Sequence, residues 1–78
     1  MSQLDRTASA LERSLLSEDG RRDPRAVVRT WYHMMDVMDY EDEDIRWAYE
    51  RAMDSIAETI PARVWMNLAD LVNSLVEA

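Results

Sequence analysis

The 78-residue chain has no cysteine, no lysine, no phenylalanine, one glycine and two prolines. Each shortage removes something. Without cysteine there is no disulfide framework and no thiolate metal site. The lone Gly20 leaves no glycine-rich loop to cradle a phosphate. So little turn material favours a few long elements over many short strands. No apolar run approaches the length of about 18 residues that a membrane span needs. The start of the chain lacks the basic-then-apolar pattern of a secretory signal. The expected setting is the cytoplasm. Positive charge is also scarce: nine arginines face 16 acids, for a formal net charge of −7.

What remains is a composition 47% apolar, enough for a core rather than a disordered chain. The length allows one domain, residues 1–78, of a size that folds alone if its helices are well patterned or gains stability by dimerising. Apolar spacing predicts helices at about 2–19, 24–38, 42–59 and 61–76. In the first, Leu4, Ala8, Leu11 and Leu15 form a narrow stripe, Ser2 is the N-cap, and Gly20 is read as a C-terminal stop. Arg21 and Arg22 read as a basic linker. Asp23-Pro24 is a strong start signal, because Asp caps free amides and Pro at the first helical position forfeits no hydrogen bond.

The second helix carries Val27, Val28, Trp31, Met34, Met35 and Met38 on one side, with Met35 and Met38 expected in the core. In the third, Ile45, Tyr49, Ala52, Met53, Ile56 and Ile60 make the apolar face, with Met53 in the core. Pro61 either ends this helix or bends it. In the fourth, Val64, Trp65, Leu68, Leu71, Val72, Leu75 and Val76 span a wide arc, as in a helix with two neighbours or a dimer interface. Met66 falls on its polar side. The fold class is all-α, a small bundle of three to four helices.

Charge is uneven. Residues 21–35 hold four arginines and one acid, whereas residues 36–59 hold nine acids and two arginines, a local −7. Six acids and no base lie between Asp36 and Asp44: Asp36, Asp39, Glu41, Asp42, Glu43 and Asp44. Such a field repels nucleic-acid phosphate and attracts cationic surfaces, so direct nucleic-acid binding is not expected. Acids at a helix start also help solubility and complement the helix dipole. The functional alternative is a docking surface for a basic partner, including mimicry of a nucleic-acid strand by carboxylates.

Trp47 stands out within this region. On a helical wheel it points away from Ile45, Tyr49 and Ile56 and falls among Glu43, Glu50, Arg51 and Asp54. A large aromatic ringed by charge is the pattern of an interface anchor. The plainer alternatives are packing on the first helix or stacking on Arg51. The candidate partner-binding residues are Asp36, Asp39, Glu41, Asp42, Glu43, Asp44, Trp47, Glu50 and Asp54.

Other chemistry finds little footing. Asp39, Glu41, Glu43 and Glu50 fit positions 1, 3, 5 and 12 of a calcium loop, but Asp44 stands where the turn needs Gly. His33 is the only histidine and has no second ligand at metal-binding spacing. No GxSxG turn supports a nucleophile. The expectation is a protein that is not an enzyme and uses no metal or cofactor.

The segment IPARVW, Ile60 to Trp65, with Ile56, Met53 and Glu50 at fitting positions upstream, resembles the Hha/YmoA family of small helical bacterial proteins. Members of that family pair with a nucleoid-structuring DNA-binding protein. The resemblance covers under a quarter of the chain, which continues past Trp65, where the family typically stops. As a class, very small acidic helical proteins are similar to inhibitors carried by phages and mobile elements, including antirestriction DNA mimics and anti-CRISPR proteins. Two functional expectations follow. One is an inhibitor whose acidic face occupies a basic nucleic-acid-binding surface of a host protein, with Trp47 as anchor. The other is a regulatory or structural module that self-associates as a homodimer or pairs with a partner helix, for example that of a nucleoid protein.

Overall fold

The computed structural model describes residues 2–77, and among them there is no strand. Five helices follow one another: α1 (Gln3–Leu16), α2 (Glu18–Arg22), α3 (Pro24–Val37), α4 (Asp42–Ile56) and α5 (Ala62–Glu77). The all-α class holds, but the three to four helices expected become five, because the first predicted helix is two. Ser17 causes the division. Its extended backbone (φ −69°, ψ 165°) ends α1, and its hydroxyl oxygen accepts the Gly20 amide at 3.1 Å to start α2. Glu18 and Asp19 then sit at the positive end of the α2 dipole. Arg21 and Arg22 are therefore the last turn of α2 rather than a linker.

Gly20 is not a helix stop with positive φ. It lies buried inside α2, where the short helix folds back on α1. A Cβ there would collide with the Ser14 carbonyl oxygen and lie 2.8 Å from Leu15 Cα. Glycine is required for a close backbone approach, not for a left-handed turn.

α1 and α3 begin on side-chain caps, and α3 ends on backbone hydrogen bonds. Ser2 and Asp5 form a reciprocal capping box at the start of α1. Asp23 accepts the Ala26 amide at 3.2 Å, with Pro24 in the first turn of α3. The α3–α4 turn takes its left-handed residue from Asp39 (φ 65°). The Asp39 amide donates to the Asp36 carbonyl at 3.0 Å and the Tyr40 amide to the Met35 carbonyl at 3.2 Å, a Schellman arrangement with Asp in the place glycine usually takes. Pro61 separates α4 from α5. Its carbonyl accepts the Val64 amide at 2.9 Å as α5 begins.

The four longer helices form a square with unequal sides. α1 packs most extensively on α4, α3 packs on both α1 and α5, and the α4–α5 side is the loosest. Small residues explain the tight side: Ala8 on α1 and Ala48 and Ala52 on α4 are all buried. Leu11, Leu15, Val28, Met35, Ile45 and Leu68 fill the centre. The Trp31 indole N–H donates to the Thr7 carbonyl at 3.0 Å, joining α3 to α1 inside the core. The Tyr32 hydroxyl donates to the Leu75 carbonyl at 3.3 Å, satisfying an acceptor in the last turn of α5.

Met35 and Met53 lie in the core, and Met66 is exposed as its wheel position implies. Met38 does not lie in the core: it is 41% exposed, because α3 ends there and the chain turns outward into the Asp39 turn. Met34 is likewise exposed, on the flank of the stripe formed by Val28, Trp31 and Met35. Ile60 falls beyond α4, half-buried in the loop before Pro61.

The Gly20 contact gives a direct test. Gly20→Ala must displace backbone and should destabilise the fold by about 3 kcal/mol, at the upper end of overpacking effects. The thermal midpoint should then fall by more than about 10 °C. An unchanged midpoint would show that α2 does not press on α1 in this way.

Candidate protein-docking surface

The acid-rich segment wraps one end of the bundle and then runs along the outer face of α4. Asp36 lies in the last turn of α3, exposed, at the negative end of that helix dipole. Asp39 occupies the left-handed turn, and Glu41 is the α4 N-cap without a side-chain capping bond. Asp42, Glu43 and Asp44 form the first turn of α4, where negative charge is favourable; Asp44 is half-buried, the other two exposed. The dipole thus accounts for Asp42 to Asp44 but not for Asp36.

Glu43, Trp47, Glu50 and Asp54 follow at spacings of four, three and four, a single stripe on the solvent side of α4. Trp47 is 44% exposed, between two surface depressions. On one side lie Glu50, Arg51, Asp54 and Ser55. On the other lie Asp42, Glu43, Arg46, Glu50 and Val76. The Arg51 guanidinium sits over the indole at 5.6 Å from the ring centroid. The stacking alternative for Trp47 is therefore realised, and much of the ring stays open to solvent.

The structure does not gather all nine candidates into one site. Asp42, Glu43, Trp47, Glu50 and Asp54 share the α4 face. Burial raises the pKa of the Tyr32 hydroxyl, and the charges of Asp42 and Asp36 raise it further, against a smaller opposing effect of Arg46. Asp39, Glu41 and Asp44 belong to the turn and helix start, apart from the grooves beside Trp47.

The ion pairs explain why this surface stays negative. Arg46 and Arg51 are the two bases within residues 36–59. Arg51 reaches Asp5 on α1 at 3.1 Å, and Arg46 reaches Glu77 on α5 at 4.0 Å. Among the described residues, none of the nine acids of this segment has a cation within 4 Å. The Ser2 hydroxyl, with help from Arg51, holds the Asp5 carboxyl below its usual range. The Arg51–Trp47 proximity was legible from their spacing of four. The partners Asp5 and Glu77 were not, since both come from distant segments.

Sequence reasoning also missed the apolar groove beside the stripe, where Tyr49, Met53, Ala57, Trp65 and Ala69 line the α4–α5 seam next to Glu50 and Asp54. The Tyr49 hydroxyl is buried there and donates to the Trp65 carbonyl at 3.4 Å. Burial pushes its pKa well above the ordinary tyrosine value, with a smaller contribution from Asp70.

Among the described residues, no three metal-ligating side chains converge on one point. The calcium frame is broken because α4 begins at Asp42, inside the would-be loop. His33 is exposed on α3. No described helix is long and apolar enough to cross a membrane. No protein-family model, curated protein or solved structure matches this chain.

Tyr49 predicts an alkaline limb of stability. Its folded-state pKa lies above the unfolded value of about 10, so stability is full below that value and falls as pH rises past it. Tyr49→Phe should reduce stability by only about 0.5 kcal/mol at neutral pH, since the lost hydrogen bond is long. It should also flatten the decline in urea midpoint above about pH 10. Identical alkaline limbs would show that the Tyr49 hydroxyl does not stay protonated inside the fold.

Proposed function

We propose that this chain is a protein-docking module whose acidic α4 face occupies a basic, nucleic-acid-binding surface of a partner protein and inhibits it, in the manner of the anti-CRISPR and antirestriction proteins of phages and mobile elements. The carrying observation is the unpaired carboxylate stripe with a 44% exposed Trp47 at its centre. Glu43, Glu50 and Asp54 project along one line, rising about 10 Å and then about 6 Å along the helix axis. That line presents negative charge on a narrow rod. Carboxylates of this kind speed and orient encounter, whereas an aromatic anchor supplies affinity. The position of Asp36 fits the same reading, because its own helix dipole gives no reason for a carboxylate there.

A second reading, self-association, draws support from α5. Val64, Trp65, Leu75 and Val76 remain only half-buried within one chain. Sedimentation at several concentrations separates the two: a concentration-dependent dimer favours self-association, a monomer the docking reading.

The docking reading is tested by capture from host lysate at low and high salt, followed by competition with an oligonucleotide on the recovered protein. Recovery of a basic nucleic-acid-binding protein that releases its oligonucleotide to this chain is the expected result. Trp47→Ala should weaken binding by about 2 kcal/mol, roughly 30-fold, as expected for a central aromatic anchor. The triple reversal Glu43→Lys, Glu50→Lys and Asp54→Lys should remove the salt dependence. Binding indifferent to those reversals would overturn the proposal.

A further inference from the structure

The α4–α5 side of the bundle is its loosest, and a groove runs along it. The two helices are antiparallel there. The start of α4 faces the end of α5 through Arg46 and Glu77, and the middle of α4 faces the start of α5 through Tyr49 and Trp65. Two depressions meet at Glu50. The inner one, about 180 Å³, has an apolar floor of Tyr49, Met53, Ala57, Trp65 and Ala69. The outer one extends it past Trp47 to Asp42 and Val76. From Asp42 to Ala57 the groove follows roughly 22 Å of α4, the length of about four helical turns. The small side chains of Ala57 and Ala69 leave room for large ones from outside.

We propose that this groove receives a basic amphipathic helix of the partner protein. The inference rests on the docking reading of the α4 face and narrows it to a mode and a partner element. Three observations select that occupant. Both walls are helices whose backbone groups are already paired within themselves, so there is no sheet edge for an extended peptide to join. The floor of the inner depression is apolar and follows α4 for about 12 Å from Tyr49 to Ala57, matching anchors at i, i+3 or i+4, and i+7 of a helix. The rim carries Asp42, Glu43, Glu50 and Asp54 beside one base, Arg46, which faces Glu77; among the described residues none of the four acids has a cation within 4 Å, and this excess of negative charge complements Lys and Arg flanking those anchors. A second copy of this chain is a poor occupant, because it brings another net −7 and its own most basic helix start has Arg25 bonded to Asn67.

The test uses the full chain, isotope-labelled for NMR, and two synthetic 18-residue Lys/Leu peptides of one composition. One has leucines at helical spacing and the other is scrambled. The patterned peptide should bind at least tenfold tighter and move the signals of Met53, Ala57, Trp65 and Ala69. Ala69→Arg should weaken it at least tenfold, and Glu50→Lys, at an exposed rim position, should do so without disturbing the floor. Equal binding of the two peptides, or shifts confined to the far side of Trp47 around Arg51 and Ser55, would overturn the groove while leaving an acidic docking face in place. Binding of neither peptide would overturn both. A sedimenting dimer with Ala69 at its interface would replace the basic helix with a second copy.

Discussion

Arg46 and Arg51 are the two bases within residues 36–59, against nine carboxylates, and both reach out of that segment, to Glu77 and to Asp5. Exposed pairs of this kind are worth about 1 kcal/mol or less each. Their larger effect is on the charge left behind. Asp5 is already fixed by the Ser2 capping box, so Arg51 meets a preformed acceptor on α1 rather than folding back on Glu50 or Asp54. That same arginine covers one side of Trp47 and leaves the rest of the ring open. A helix start, an interhelical tie and an exposed aromatic are thus joined through a single guanidinium.

The packing reinforces this arrangement. Alanines at positions 8, 48 and 52 let α1 and α4 approach closely, which fixes the inner face of α4 and turns the Glu43–Trp47–Glu50–Asp54 stripe outward. α5 is held chiefly by α3, through Leu68, Leu71 and Val72 in the core and through the Tyr32–Leu75 hydrogen bond. It closes only loosely on α4. The acidic stripe therefore borders an open seam, and charge and apolar surface lie side by side on one face.

Much of this was legible in the sequence. Period-3.6 spacing located the inner faces of α3, α4 and α5, and the wheel placed Trp47 correctly among its charged neighbours. The split between α1 and α2 was also written there, as Ser17 followed by Glu18 and Asp19, an N-cap with an acidic first turn. Reading Gly20 as the stop of one helix masked it. Gly20 was misread because a glycine near a helix end suggests a left-handed stop, whereas a need for close backbone approach leaves no local pattern. Met38 was misplaced because periodicity carries on past the point where the helix ends. The diversion of Arg46 and Arg51, and the looseness of the α4–α5 seam, depend on contacts between distant segments. No local spacing encodes them.

The claim that the acids of residues 36–59 stand unpaired is tested most directly on the isolated protein, by its thermal midpoint as sodium chloride rises from about 20 mM to about 300 mM. Unpaired carboxylates repel one another, and screening relieves that repulsion. The midpoint should then rise by roughly 4 °C or more, about 1 kcal/mol. A midpoint that falls with salt would mean that these carboxylates are held in stabilising ion pairs, and would contradict the account.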